Sequence, residues 1–190
     1  EGNLSVGQLV MTSGTFVVSY AGTYTMTVTG SATFAGGTLS TNPIGTLALN
    51  GPATFTNTAC STSPNINCAS TVGGSGTFAQ SAAVVTLVGG NATVLTGASL
   101  PHLALGAGAQ VTLNNDFTVQ GGLSGSGSAT GTGTATFTGT SVVYLSGTPT
   151  LGCTLEIAKT GGTEVRLSGT PTIGQLLMTS GTFVVSYAGT

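Results

Sequence analysis

Seventeen residues near the start of the chain return almost unchanged further on. Gly7–Thr23 reads GQLVMTSGTFVVSYAGT and Gly174–Thr190 reads GQLLMTSGTFVVSYAGT, with Val10 against Leu177 the one difference. Gly7 and Gly174 open the two copies, and before Gly7 only the apolar pattern persists (Leu4-Ser5-Val6 against Pro171-Thr172-Ile173). A recurrence of this quality predicts a repetitive architecture in which each unit completes its core against the next.

A finer repeat lies inside the long one. Leu145–Gly152 is LSGTPTLG and Leu167–Gly174 is LSGTPTIG, a shift of about 22 residues. A looser match pairs Thr86–Gly121 with Thr136–Gly174 at an offset that drifts along the match, and ATF recurs at Ala32–Phe34, Ala53–Phe55 and Ala135–Phe137. The units are short alternating strands such as Leu103-Ala104-Leu105 and Val165-Arg166-Leu167, broken by Gly, Asn or Pro. Alternation puts Leu, Val and Ile on one face and Thr, Ser or a charge on the other. A sandwich shares that alternation, but a drifting short repeat suits one coil of a parallel β-helix. The expected fold is all-β, a β-solenoid with a coil of about 22 residues over a single segment 1–190. The long repeat 7–173, restarting at 174, would then hold seven or eight coils rising about 35 Å at the usual strand spacing. The restart also predicts membership of a longer tandem array.

Composition agrees with this. Gly numbers 32, and Thr fills about a fifth of the positions, far above ordinary usage. Thr, Val, Tyr and Phe favour a pleated surface that Gly punctuates with turns. No helical periodicity is sustained anywhere; the nearest candidate, Ala79–Val88, reads equally as a buried strand. Only 3% of residues are charged and the net charge is −2. Copies of so weakly charged a chain repel one another little, which favours self-association along or beside the solenoid axis. There is no basic patch for a phosphate backbone, so nucleic acid is not an expected partner. No apolar run approaches the roughly 20 residues of a membrane helix, so membrane insertion is not expected either.

The phrases LSGTPTIG, LALGAGAQVTLNNDFTVQGG and TMTVTGSATFAGGTLST resemble the Gly/Thr/Asn-rich β-solenoid stalks of large bacterial surface proteins, the filamentous-haemagglutinin-like and autotransporter-type adhesins. The resemblance covers nearly the whole chain and is one of texture. It implies an extracellular or cell-surface fibre: a filament, stalk or sheath built by coil stacking. This chain departs from the pattern in its very low charge and its three cysteines.

Few residues could carry chemistry. Cys60 and Cys68 flank STSPNIN, a polar stretch that reads as a loop insertion at 60–68, and in a secreted chain they are candidates for a disulfide. Cys153 is the odd thiol, expected to be a small buried apolar residue, with an intermolecular bridge as the alternative. Glu156, Lys159, Glu164 and Arg166 bring four of the six charges into one short stretch. Glu156 and Arg166 are read as a cross-strand surface ion pair. An acid, a base and a cation in a groove would also suit a polysaccharide lyase, but no second acidic cluster supports this, and Asp116 stands alone. His102 lacks partners for a triad, the spacing around the cysteines is wrong for zinc, and four carboxylates cannot build repeated calcium cages. No enzyme activity, cofactor or metal is therefore expected. Two threonine files stand out: Thr23, Thr25, Thr27 and Thr29, then Thr132, Thr134, Thr136, Thr138 and Thr140. They give the alternative function, an ice- or glycan-binding face.

Overall fold

A computed structural model of the chain describes residues 3–18, 23–40, 45–56, 59–60, 65–73, 84–90, 92–94 and 97–185, with the backbone alone at 59–60. Among the described residues every regular element is a β-strand and every pairing is parallel. The longest sheet takes one strand from each coil: Leu4–Val6, Thr25–Val28, Thr46–Leu49, Asn65–Cys68, Val84–Leu87, His102–Leu105, Leu123–Gly125, Val143–Gly147, Glu164–Gly169 and Thr182–Val184. The chain is a β-solenoid.

One column of this sheet measures the coils. It runs from Leu4 through Met26, Leu47, Ile66, Val85, Leu103, Leu123 and Leu145 to Leu167, each residue in register with the next. The expected coil of about 22 residues holds from Leu4 to Met26 and again from Leu123 through Leu145 to Leu167. It is too long for the coils between, and the shortest steps run from Val85 to Leu103 and from Val165 to Phe183. In the first three coils two further walls complete the turn among the described residues. One is five-stranded, from Leu9–Met11 to Thr93–Val94, and the other three-stranded, from Thr15–Val17 to Ala59–Cys60. Later the walls run together. Thr150–Ala158 pairs with Ser128–Ala129 through its first residues and with Thr134–Phe137 through its later ones.

Alternation builds the core. From Met26 to Leu145 that column points inward, and none of its members is more than 6% exposed. Val28, Leu49, Cys68, Leu87 and Leu105 form a second inward column. On the five-stranded wall two of the three ATF strands, Ala32–Phe34 and Ala53–Phe55, are neighbours, and the rings of Phe34 and Phe55 stack at 4.6 Å and 2°, whereas Ala135–Phe137 lies in the seven-stranded sheet. Such inward files bury most of the apolar surface that stabilises the fold.

Where the second column ends, glycine replaces apolar side chains. Gly147 faces Gly169 in register, and a Cβ at Gly147 would drive into the carbonyl oxygen of Gly125. Gly125 and Gly147 also have φ of 108° and 77°. Coils meet backbone to backbone here, which only glycine permits.

Two expectations need correction. Asn65–Cys68 is a regular strand paired with Thr46–Leu49 and Val84–Leu87. The step from Leu47 to Ile66 is shorter than that from Leu4 to Met26, so the stretch 60–68 does not lengthen its coil, and its residues 61–64 lie outside the described residues. The Cys60–Cys68 disulfide is not formed either: Cys68 is a free, buried thiol stacked between Leu49 and Leu87. Cys60 belongs to a different wall, its backbone paired with Leu39, and its side chain lies outside the described residues.

Candidate functional site

The outer face of the long sheet carries two files of side chains. One is small along its length: Ser5, Thr27, Ala48, Asn67, Thr86, Ala104 and Ser124. The other begins as Thr25, Thr46, Asn65 and Val84 and changes character at His102. From there it runs through Gly122, Tyr144 and Arg166, so an imidazole, a phenol and a guanidinium share one wall.

Each of these side chains is held. His102 is half-buried, leans over Gly122, and shares a hydrogen bond of 2.8 Å between Nε2 and Ser124 Oγ. Burial pulls its pKa below the ordinary histidine value, which favours the neutral ring. Arg166 Nε donates to Glu164 Oε2 at 2.6 Å, and the guanidinium also bonds Tyr144. Those two hydrogen bonds raise the arginine pKa further, Glu164 contributing more. Between His102 and Tyr144 lies a recess of about 230 Å³, lined by His102, Gln120, Gly121, Gly122, Ser141, Val142, Val143 and Tyr144. A Cβ on Gly121 or Gly122 would strike the carbonyl oxygen of Pro101 or Tyr144. The floor is therefore bare backbone.

The ion pair falls between different residues from those expected. Glu156 does not meet Arg166: its strand lies in the seven-stranded sheet, whereas Arg166 is in the long one. Residues i and i+2 of a strand share a face, so Glu164 is the nearer partner. Glu156 instead accepts Thr136 Oγ1 at 2.9 Å and Thr179 Oγ1 at 2.5 Å, which ties three coils together. Lys159 turns inward, is 1% exposed, and donates from Nζ to Thr138 O at 2.7 Å. Burial lowers its pKa. The four clustered charges thus divide among two walls and the interior. Asp116 Oδ1 accepts from Thr134 N at 2.9 Å, joining two coils at a corner.

Cys153 is free and buried, as expected of a small apolar core residue, and burial raises its thiol pKa, partly opposed by a backbone hydrogen bond. Burial pushes Cys68 up to about 12. Among the described residues no three of His, Cys, Asp and Glu come together as a metal site would require.

The anticipated threonines are scattered. Thr25 and Thr27 point outward on one strand, but their neighbours on the next two coils are Thr46 and Asn65, and Ala48 and Asn67. Thr29 lies past the strand end and donates to Val6 O at 3.2 Å. Thr134 and Thr136 stack against Thr154 and Glu156, and Thr138 lies past its strand end. A longer file runs elsewhere, where sequence reasoning did not look: Thr71 pairs with Thr93, Thr93 Oγ1 donates to Thr112 O at 2.6 Å, and Thr112 pairs with Thr130. A step of one coil, taken from threonine to threonine, was the signal that could have found it. One coil back from Arg166, the same step leads to Tyr144. Compared with family models, with curated proteins and with solved structures, the chain finds no match.

Proposed function

We propose that this chain is a structural segment of an extracellular or cell-surface fibre, a filament, stalk or sheath that lengthens as further coils stack along its axis. The observation that carries the reading is the repeated segment, met twice in different company. In the first copy the following coil lies over it: Leu9 faces Ala32, Met11 faces Phe34 and Phe16 faces Leu39, and Met11 is 6% exposed. In the second copy the preceding coil lies under it, with Leu176 against Leu155 and Met178 against Ile157. Among the described residues no strand pairs with its other side, where Leu176 and Met178 are 39% and 45% exposed.

One sequence therefore accepts a coil on either side. The other side of the second copy offers the residues that the first copy uses to hold Ala32–Phe34 and Thr38–Ser40. The partner that fits is another coil of this same unit, carried by a further repeat or by a second copy of the chain. Stacking of this kind is heterologous and does not close, so it grows fibres. The sparse charge opposes it little. The extracellular setting rests on the resemblance to surface-protein stalks.

The test is a chain extended after Thr190 by a second copy of Tyr24–Phe55. The added coil should dock, slow amide exchange over Gln175–Val184 by at least about tenfold, an equilibrium gain of roughly 1.4 kcal/mol or more, and raise the midpoint of thermal unfolding. An added segment that exchanges freely and leaves those amides unchanged would refute the reading.

A further inference from the structure

We infer that the recess between His102 and Tyr144, on the outer face of the long sheet, is a binding site for one neutral sugar ring. The inference stands apart from fibre growth, because the recess lies on the side of the solenoid and not at its end.

The shape comes from a break in the outward file. His102, Gly122 and Tyr144 are consecutive members on three coils, and the middle one has no side chain. Coils are about 4.8 Å apart, so the two ring-bearing strands lie about 9.6 Å apart. Backbone closes the floor beneath them. The recess, at about 230 Å³, falls below the roughly 300–1,000 Å³ typical of drug-sized ligands and leaves room for a single ring.

The chemistry of the lining selects the ligand. Val142 and Tyr144, each 42% exposed, form an apolar wall, and the C–H face of a pyranose packs on such a surface. Arg166 bonds Tyr144 and is itself paired with Glu164, which narrows the positions open to the ring before any ligand arrives. An aromatic ring restricted in this way loses less entropy on binding. Around this wall stand polar groups without formal charge. With Nε2 engaged by Ser124, the imidazole has its Nδ1 left as donor or acceptor according to tautomer. The Gln120 amide nitrogen donates to Ser99 Oγ at 3.0 Å, so its carbonyl oxygen can accept from a ligand. Ser141 adds a hydroxyl. A sugar hydroxyl both donates and accepts, and so satisfies either histidine tautomer. No carboxylate or cation lines the recess, which disfavours charged ligands.

The experiment is a titration of the isotope-labelled chain with glucose, galactose, mannose and N-acetylglucosamine, with indole as the apolar competitor, followed by amide and aromatic NMR shifts. At least one sugar should move the resonances of His102, Gly122 and Tyr144 together. Its dissociation constant should be on the order of millimolar, as expected for about a dozen non-hydrogen atoms. Tyr144→Ala should weaken binding at least about tenfold, and Tyr144→Phe should keep most of it, since the ring face makes the contact. Should Tyr144→Ala fail to fold, Val142→Asp places a charge on the same wall at an exposed position and should give the same loss. Shifts confined to other walls, binding of indole without any sugar, or a folded variant of either residue that binds as the parent does would each overturn the assignment.

Discussion

Replacing Gly147, an exposed residue, by alanine separates two costs that the glycine stack combines. Gly147 has φ of 77°, and an added Cβ would run into Gly125 O. Gly139 has φ of 86°, but nothing lies within 4 Å of its added Cβ. The left-handed backbone costs an L-residue about 1–2 kcal/mol at either site. At Gly147 the overlap adds a second cost. Gly125 O already accepts Thr148 N at 2.9 Å, and Gly147 O accepts Thr170 N at 2.9 Å. To admit a methyl group, the Gly125 and Gly147 coils, spaced about 4.8 Å apart, must part by roughly 1 Å, which weakens the first of these bonds at about 1 kcal/mol. By this reckoning Gly147→Ala should cost about 2–3 kcal/mol and Gly139→Ala about 1–2 kcal/mol. The change in unfolded-chain entropy is common to both and cancels in the difference. Urea unfolding followed by circular dichroism gives the two totals. Because neighbouring coils carry the coupling in a solenoid, exchange of the Thr148 amide and the amides beside it reports the site directly. If the two variants differ by less than about 0.5 kcal/mol, or if those amides exchange as before, the backbone contact between coils does not hold as described.

One substitution and one labelling experiment probe buried groups. Lys159 keeps a proton in the interior with Thr138 O as its hydrogen-bond acceptor, and burial lowers its pKa. Between that lowered value and the unfolded value of about 10.4 the unfolded chain holds more protons, so this residue makes stability rise with pH. Lys159→Met should remove that rise, since methionine has no proton to exchange in either state. Urea midpoints of the two chains across the alkaline range check the sign, and the opposite contribution of the buried thiols cancels in the comparison. Cys68, with a pKa pushed up to about 12, and the buried Cys153 should resist a thiol reagent in the folded chain and react once urea unfolds it. Labelling of Cys68 at the rate of a free thiol would contradict its place between Leu49 and Leu87.

The sequence made some of this legible and concealed the rest for one geometric reason. LSGTPTLG and LSGTPTIG lie one coil apart, and they are neighbours in space, with Leu145 on Leu167 and Thr150 on Thr172. Alternation likewise assigned the inward residues correctly wherever a strand was recognised. The looser match of Thr86–Gly121 with Thr136–Gly174 has no such meaning. It sets Leu103–Leu105 of the long sheet against Leu155–Ile157 of another, because the offset is not a whole number of coils. The ion pair failed for the same reason. Glu156 and Arg166 sit on consecutive strands, and in a hairpin these would pair; in a solenoid consecutive strands occupy different walls. Spatial neighbours are one coil away, and one coil before Arg166 stands Tyr144. Composition was silent on the recess, which is defined by the absence of a side chain at Gly122.

The drift in coil length gives the long repeat a consequence that its near-identity hides. Eight coils carry Leu4 to Leu167, whereas the long repeat sets Leu4 against Pro171, so the second copy begins about one short strand further round the coil. Thr15–Val17 accordingly lies in the three-stranded sheet, whereas its twin Thr182–Val184 lies in the long sheet against Glu164–Arg166. The segment tolerates the change because alternation, not wall, decides which side chains face inward. Leu9 and Met11 oppose Ala32 and Phe34 in one setting, and Leu176 and Met178 oppose Leu155 and Ile157 in the other. Phe16 and Phe183 likewise both pack against the core. A strand with period two fits any wall of the solenoid, since each wall asks only that every second residue be apolar. An array of such units would not keep their faces aligned. Each repeat would present its outward file, and any recess on it, turned by part of a coil from the one before.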